Sequence, residues 1–375
     1  MREVRIGILG ASGNIGSDVT RWLAQEGYSL RLGARCVEPL QNLIKSAHAQ
    51  CVVVDIYDHN ALIDFCRDCS VIVNCAGPSY KVLDRVARAA AEVNAAYIDV
   101  SGDGPVYHLL QQQKPSQSDW IAVLSAGMLP GLANLVPSWM GHQSGGSLTI
   151  YSGGVERVSG AAAADLVLSL NEQCSGLQST DYWYGEAGAS WQLGRRSRHS
   201  LQTQEQIELA HFSNQATLLP YLSADAERLA LRHNFANLKW FNVFNGQRLR
   251  ETLTSLRGQL KDDEASLQSS ILKVEQASEI DLLGRKPYYN LMFDLEQPDQ
   301  PTRRTIISTN SSLSLTAATA VSCVLSVLRG DISAGIHFTD QVLSAHQTIN
   351  DITRLHAGTS VTEYQLDTSL EEGVL

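Results

Sequence analysis

Residues 10 to 16 read Gly10-Ala11-Ser12-Gly13-Asn14-Ile15-Gly16, with a glycine at every third position. Gly10 permits a tight turn, Gly13 lets a pyrophosphate approach the backbone, and Gly16 lets a helix pack close to a strand. Ala11, Ser12, Asn14 and Ile15 complete a turn whose unpaired N–H groups and positive helix end suit phosphate. Arg35 stands where an NAD-preferring site carries an acid, about 20 residues on, and the first acid after it is Glu38. A guanidinium there pairs with a 2′-phosphate in a bidentate fashion, so NADP is expected over NAD; the plainer reading is a solvated surface arginine. Asp55 is placed as a neighbour of the adenine edge.

These residues need a scaffold that brings them to one edge. Val4, Ile6, Ile8 and Leu9 form an apolar run before the glycine turn, and Ile15, Val19, Trp22 and Leu23 recur on one helical face after it. Strand, glycine turn and helix is the context a dinucleotide fingerprint requires. Further strands are expected at Ser29–Leu32, Cys51–Val54, Ser70–Asn74, Ala96–Asp99 and Trp120–Leu124, with a helix from Val82 to Asn94. Repeated strand–helix units predict an α/β fold: a Rossmann-type, doubly wound parallel sheet. Ligands of such sheets lie outside the carboxyl ends of the strands. Gly10–Gly16, Arg35, Asp55, Asn74, Ala76, Gly77, Pro78, Ser101 and Asp103 all fall there.

The chain has 375 residues, enough for two or three domains. Hydrophobic residues make up 44% and charged residues 18%, a globular balance. The formal charge of −10 repels phosphate backbones, so nucleic acid is not an expected partner. The 7 cysteines lack regular spacing, which fits a reducing compartment. Met1 to Leu9 run straight into a strand pattern and apolar stretches look shorter than about 18 residues, so no leader and no membrane span is expected. The expectation is a cytoplasmic protein acting on a small-molecule substrate.

Asn74-Cys75-Ala76-Gly77-Pro78, Tyr97-Ile98-Asp99-Val100-Ser101-Gly102-Asp103 and Gly127-Met128-Leu129-Pro130-Gly131-Leu132 follow the glycine turn in that order. In these motifs the chain resembles the saccharopine dehydrogenase-like reductases, to about residue 140 and again over 311–345. The resemblance implies an NADP-binding domain at 1–127, a second α+β domain at 128–310 holding substrate and the interface of a homodimer, and a helix at 311–345 returning to the first domain. Residues 346–375 are left as a tail, docked or disordered. The resemblance also implies an NADP-dependent oxidoreductase, reducing the C=N bond of an imine on a small amine or amino-acid-derived substrate. Family members include enoyl reductases, the alternative reading; a nucleotide-sensing protein without turnover is a third. One position departs, because members acting on amino-acid-derived substrates often carry Asp where this chain has Leu129.

Hydride transfer onto a protonated imine asks mainly for positioning, plus one acid to hold the iminium or protonate the product amine. Asp103, Tyr80 and Asp99 are the candidates, with Asp103 first; Asp103 equally suits the cap of a helix starting near Pro105. No Tyr-x-x-x-Lys, HExxH, GxSxG or GxxxxGK[ST] occurs. Cys66 and Cys69 form a lone CxxC, read as small apolar residues at a helix end, and no metal site is expected.

From Gly146 to Asn310 short strands (Leu148–Tyr151, Lys239–Phe244, Tyr288–Leu295, Arg304–Ser308) alternate with helices (Ala161–Gln173, Ala224–His233, Gln247–Arg257, Asp263–Leu282). This predicts an α+β arrangement with an antiparallel sheet. Thr180-Asp181-Tyr182-Trp183-Tyr184-Gly185, Trp191 and Arg195-Arg196-Ser197-Arg198 are either a pocket for a carboxylate or a surface loop with aromatics packed on the core.

Overall fold

The computed structural model describes residues 4–36, 38–40, 49–112, 119–169, 183–213, 215–256 and 263–366. Thr180–Tyr182, the expected helix end at 170–173, Arg257 and the tail beyond 366 lie outside the described residues. Among the described residues two compact units form, one from 4–135 with 313–356 and the other from 136–169 and 183–312 with 357–366.

The first unit begins with β1 (Arg5–Leu9), β2 (Ser29–Ala34), β3 (Ala49–Val53), β4 (Val71–Asn74), β5 (Ala96–Asp99) and β6 (Ile121–Leu124). The second carries β7 (Ser147–Val155), β8 (Gly185–Ala187), β9 (Ser190–Gln192), β10 (Arg195–Ser197), β11 (Gln204–Glu208), β12 (Gln215–Ser223), β13 (Asn237–Phe244), β14 (Tyr288–Glu296) and β15 (Arg303–Thr309). The chain returns to the first unit through the helix Ser312–Arg329 and β16 (Gly335–Phe338), then ends on the second with β17 (Thr359–Gln365).

The first sheet has seven strands in the order β16-β6-β5-β4-β1-β2-β3, all parallel. This is the doubly wound order, reversing direction between β1 and β4. Ile6, Ile8, Leu30, Leu32, Val71 and Val73 are buried, as strands covered on both faces must be. Arg31, in β2, is a buried charge. Its Nη1 donates to the carbonyls of Phe65 (2.9 Å), Asp64 (3.3 Å) and Arg67, satisfying the carboxyl end of the helix His59–Cys66.

The expected helix Val82–Asn94 is in fact two, Ser79–Val82 and Arg85–Glu92, because Leu83 takes a left-handed φ of 50° between them. The helix Ser312–Arg329 also corrects the reading of short apolar stretches. Its 18 residues and mean hydropathy of 1.5 reach the length and composition of a membrane span, and 61% of it is buried inside the protein.

The second sheet has ten strands, with β10-β9-β13-β7-β14-β15-β17 as its main path. It is mixed rather than antiparallel, since β13 and β7 run parallel. The helix Glu264–Leu282 lies against Gly160–Ser169 and Gln247–Leu256. Strands β8 to β10 form where a surface loop was the plainer expectation, and β11 and β12 where no element was expected; four of these five strands have only three to five residues, too short for a periodic signal. Residues 346–366 of the expected tail carry most of the helix Ala345–Leu355 and all of strand β17.

Candidate functional site

The glycine turn joins β1 to the helix Asn14–Gln25. Gly10 has φ +77°, and its N–H donates to the Gly33 carbonyl at 2.9 Å, as does Ala11 at 3.1 Å. A β-carbon on Gly10 would stand 2.7 Å from the Ala76 nitrogen, and one on Gly16 only 2.2 Å from the Gly10 oxygen. Both positions are closed to any side chain. Gly13 differs: a β-carbon there meets only the Gly10 oxygen, at 3.3 Å. Ser12, Gly13 and Asn14 are exposed, Ile15 is half-buried, and no side chain caps the helix start. Its first turn carries no acid. A cradle closed behind and open in front, with uncapped N–H groups, fits the pyrophosphate of a dinucleotide.

Arg35 directly follows β2 and is exposed. The Val54 N–H donates to the Ala34 carbonyl at 3.0 Å, so the ends of β2 and β3 stay paired up to Arg35 and Asp55. Asp55 is exposed, and its Oδ1 accepts the Tyr57 N–H at 3.0 Å, fixing the turn after β3.

The ends of β4 and β5 are tied by one buried carboxylate. Asp99 Oδ1 accepts the N–H groups of Ser101 (3.0 Å) and Gly102 (2.7 Å), while Oδ2 accepts Asn74 Nδ2 (3.1 Å) and the Tyr97 hydroxyl. Asn74 Oδ1 in turn accepts the Ala76 N–H at 3.2 Å. Asp99 is 3% exposed. Burial, and then the charge of Asp99, hold the Tyr97 phenol well above its ordinary range, so it stays a donor. Burial likewise raises the Cys75 thiol. This network orders the Cys75–Pro78 and Val100–Asp103 loops together.

Gly77 is exposed, Pro78 follows a cis peptide bond, and Tyr80 is half-buried in the helix Ser79–Val82. Asp103 is half-buried just before the helix Gly104–Gln112, and its carbonyl accepts the Tyr107 N–H at 3.0 Å. The structure therefore joins Asn74, Ala76, Asp99 and Ser101 through hydrogen bonds. Arg35 and Asp55 stand at the ends of β2 and β3 on the same sheet edge.

Three contributors escaped sequence reading. Tyr97 looks like a packed aromatic until its hydroxyl is seen on Asp99. Thr316 Oγ1 accepts the Met128 N–H at 3.2 Å, and Thr339 Oγ1 donates to the Leu124 carbonyl at 2.9 Å. Both hold the loop after β6 from positions almost 200 or more residues away in sequence, which no local signal reveals.

In the second unit, the basic cluster is largely neutralised. The Arg196 guanidinium donates twice to Glu227 (2.7 and 2.9 Å) and lies 3.4 Å from the Trp183 ring centre. Arg198 pairs with Glu186 at 3.3 Å. Trp191 is buried and donates to the Phe235 carbonyl at 3.0 Å, as a core residue does. Cys66 and Cys69 are unpaired and buried, and burial pushes the Cys66 thiol up to about 12. Such thiols are poor nucleophiles and ligands. Among the described residues no group of three or more His, Cys, Asp or Glu is placed to hold a metal.

The strand order, the glycine cradle and the shared carboxyl edge define a Rossmann-type dinucleotide-binding protein with a second α+β unit. Residues 6–123 match the saccharopine dehydrogenase NADP-binding domain. That domain is saccharopine dehydrogenase-like, and its cofactor is NADP(H).

Apo saccharopine dehydrogenase (L-Glu forming) from Saccharomyces cerevisiae shares the fold with a TM-score of 0.64 and 13% identity, over 97% of this chain and 100% of that one. A "lipid droplet localized protein" of Caenorhabditis elegans is 26% identical over 141 residues, 34% of this chain and 33% of that protein. The chain thus spans about a third of that curated relative's length.

Proposed function

We propose that this chain is an NADPH-dependent reductase that delivers a hydride to the C=N bond of an imine on a small amine or amino-acid-derived substrate. The Asp99-centred junction of β4 and β5 carries the reading, because its hydrogen bonds order the loop that leads to Asp103 at the sheet edge where such folds hold the reacting group. NADPH supplies the hydride when bound. Gly10, Ala11, Ser12, Gly13, Asn14, Ile15 and Gly16 hold its pyrophosphate, Arg35 its 2′-phosphate and Asp55 its adenine edge. Asn74, Ala76, Gly77, Pro78 and Ser101 line the reacting end.

Asp99 accepts four hydrogen bonds and is buried, so its part is to position the two loops. Asp103 and Tyr80 remain to hold the iminium or hand a proton to the product nitrogen. Asp103, just beyond the end of β5, favours a cationic reacting group over the enolate of an enoyl reduction, which needs donors instead. The enoyl reading is favoured by one observation, the ion pairs that engage Arg196 and Arg198 and leave them poorly suited to clamp a substrate carboxylate. A cytoplasmic setting suits the six described cysteines, all unpaired.

The test is loss of NADPH absorbance over a panel of cyclic imines, amine plus 2-oxo acid mixtures and enoyl thioesters, with NADH and a binding titration beside it. Imine turnover with NADPH is expected. Turnover of enoyl thioesters alone would transfer the assignment to C=C reduction. Tight NADPH binding without turnover on any substrate would favour the sensing protein.

A further inference from the structure

Tyr57 stands two residues beyond Asp55, in the turn after β3, and is 63% exposed. The Asp55 carboxylate fixes its backbone, and a cation fixes its ring: the Arg85 guanidinium carbon lies 5.2 Å from the ring centre. Arg85 is itself anchored. Its Nη1 donates to the carbonyls of Lys81 (2.8 Å) and Val82 (3.0 Å), in the helix Ser79–Val82. With one face of the ring against the guanidinium, the observed exposure leaves the other face to solvent. A lone exposed aromatic needs no explanation, but one held both by its backbone and by one ring face is a preformed flat surface.

Strand order places that surface. β3 and β4 are separated by β1 and β2, so three spacings of about 4.8 Å put them roughly 14 Å apart. The turn after β3 and the segment after β4 therefore meet only by reaching across beside the ends of β1 and β2. His59 Nε2, 2.7 Å from Glu92 Oε1, ties the same two segments a second time. The ends of β1 and β2 lead into the glycine cradle and Arg35. A dinucleotide with its pyrophosphate on the cradle and its 2′-phosphate at Arg35 carries its base on that same ribose, and so beside the Tyr57 ring.

We propose that the open face of Tyr57 stacks the adenine of NADP(H), with Arg85 behind the ring as a positioning residue. The inference rests on the NADP(H) assignment and deepens it, because Asp55 meets the base at its edge and Tyr57 meets it at its face. Stacking uses the π-face that every base presents, so it adds affinity without reading edge atoms.

Calorimetric titration with adenosine 2′,5′-bisphosphate tests the stack without turnover and without a nicotinamide. Tyr57→Ala is expected to weaken binding roughly tenfold to a hundredfold, the range for one base on one aromatic ring. Tyr57→Phe and Tyr57→Trp should keep wild-type affinity, because the ring and not the hydroxyl is used. The hypoxanthine analogue of the ligand should lose as much to Tyr57→Ala as the adenine form does. Arg85→Gln should weaken binding in the wild-type background and change nothing further beside Tyr57→Ala, since Arg85 acts through the ring. Wild-type affinity in Tyr57→Ala would overturn the stack, as would a loss that Tyr57→Phe shares. An equal loss from Arg85→Gln with and without Tyr57 would overturn the part given to Arg85. A wild-type chain that binds neither this ligand nor NADPH would overturn the NADP(H) assignment, and the stack with it.

Discussion

Glycines crowd the backbone in both units, for opposite reasons. In the first unit, a β-carbon on Gly16 would lie 2.2 Å from the Gly10 oxygen. In the second, one on Gly153 would lie 2.0 Å from the Val243 oxygen, and one on Gly154 2.1 Å from that of Tyr288. Gly153 and Gly154 sit inside β7, between β13 and β14, where absence of a side chain lets three strands pack. Gly10 and Gly16 instead hold a turn shut so that Gly13 can face outward, open to a ligand. Close approach alone therefore does not mark a binding site; the cradle is recognised by Gly13, between two closed glycines, where an added carbon would meet a single atom at 3.3 Å.

The largest effect should separate these roles. Gly153→Ala is expected to destabilise the second unit by about 3 kcal/mol, since the added carbon meets backbone that cannot rotate away. Chemical denaturation should show its transition moving while NADPH affinity of the folded protein is kept. Gly16→Ala should do the reverse, leaving that transition in place and abolishing measurable NADPH binding.

A pH effect of similar size belongs to the second unit. Burial, then His142 and then Arg232, bring the His233 imidazole down from 6.5 to about 4. Its Nδ1 lies 3.0 Å from His142 Nε2, one bond shared by two rings. The unfolded chain takes up this proton at higher pH than the folded one. Stability is thus complete above about pH 6.5 and declines as pH falls toward 4, by up to about 3 kcal/mol. Melting temperatures followed across that window should fall with acid, and His233→Leu should flatten the slope.

Arg35→Ala sharpens the cofactor half of the comparison. Loss of a charge-assisted pair predicts a drop in the NADPH-over-NADH preference on the order of tenfold to a hundredfold. Thermal stability should stay unchanged, because Arg35 is exposed. A retained preference would move the 2′-phosphate contact elsewhere. The smallest structural effect is expected for Gly13→Ala, under about 0.5 kcal/mol from its single 3.3 Å contact, yet NADPH binding should weaken as the methyl enters the phosphate approach.

The first unit was largely legible before its structure. A Rossmann sheet writes itself locally, as apolar strand, glycine turn and amphipathic helix, and short-range periodicity carries all three. The second unit was half legible. Its long strands β7, β13, β14 and β15 and the helix Ala224–His233 have clear patterns, whereas β8 to β10 have three residues each. The aromatic and arginine cluster was ambiguous for another reason. Whether Arg196 awaits a ligand or already grips Glu227 depends on a partner 31 residues away.

Sequence alone determined the chemistry that could exist here: which residues stand at the strand ends, that a phosphate cradle is possible, and that Arg35 replaces the usual acid. Tertiary structure decided how those residues are used. It buried Asp99 under four donors, put the Tyr97 hydroxyl on it, and brought Thr316 and Thr339 against the loop after β6. It also placed β17 at a sheet edge. Turns and periodicity follow from neighbours in the chain, while burial, hydrogen-bond partners and edges depend on segments that meet only once the chain has folded.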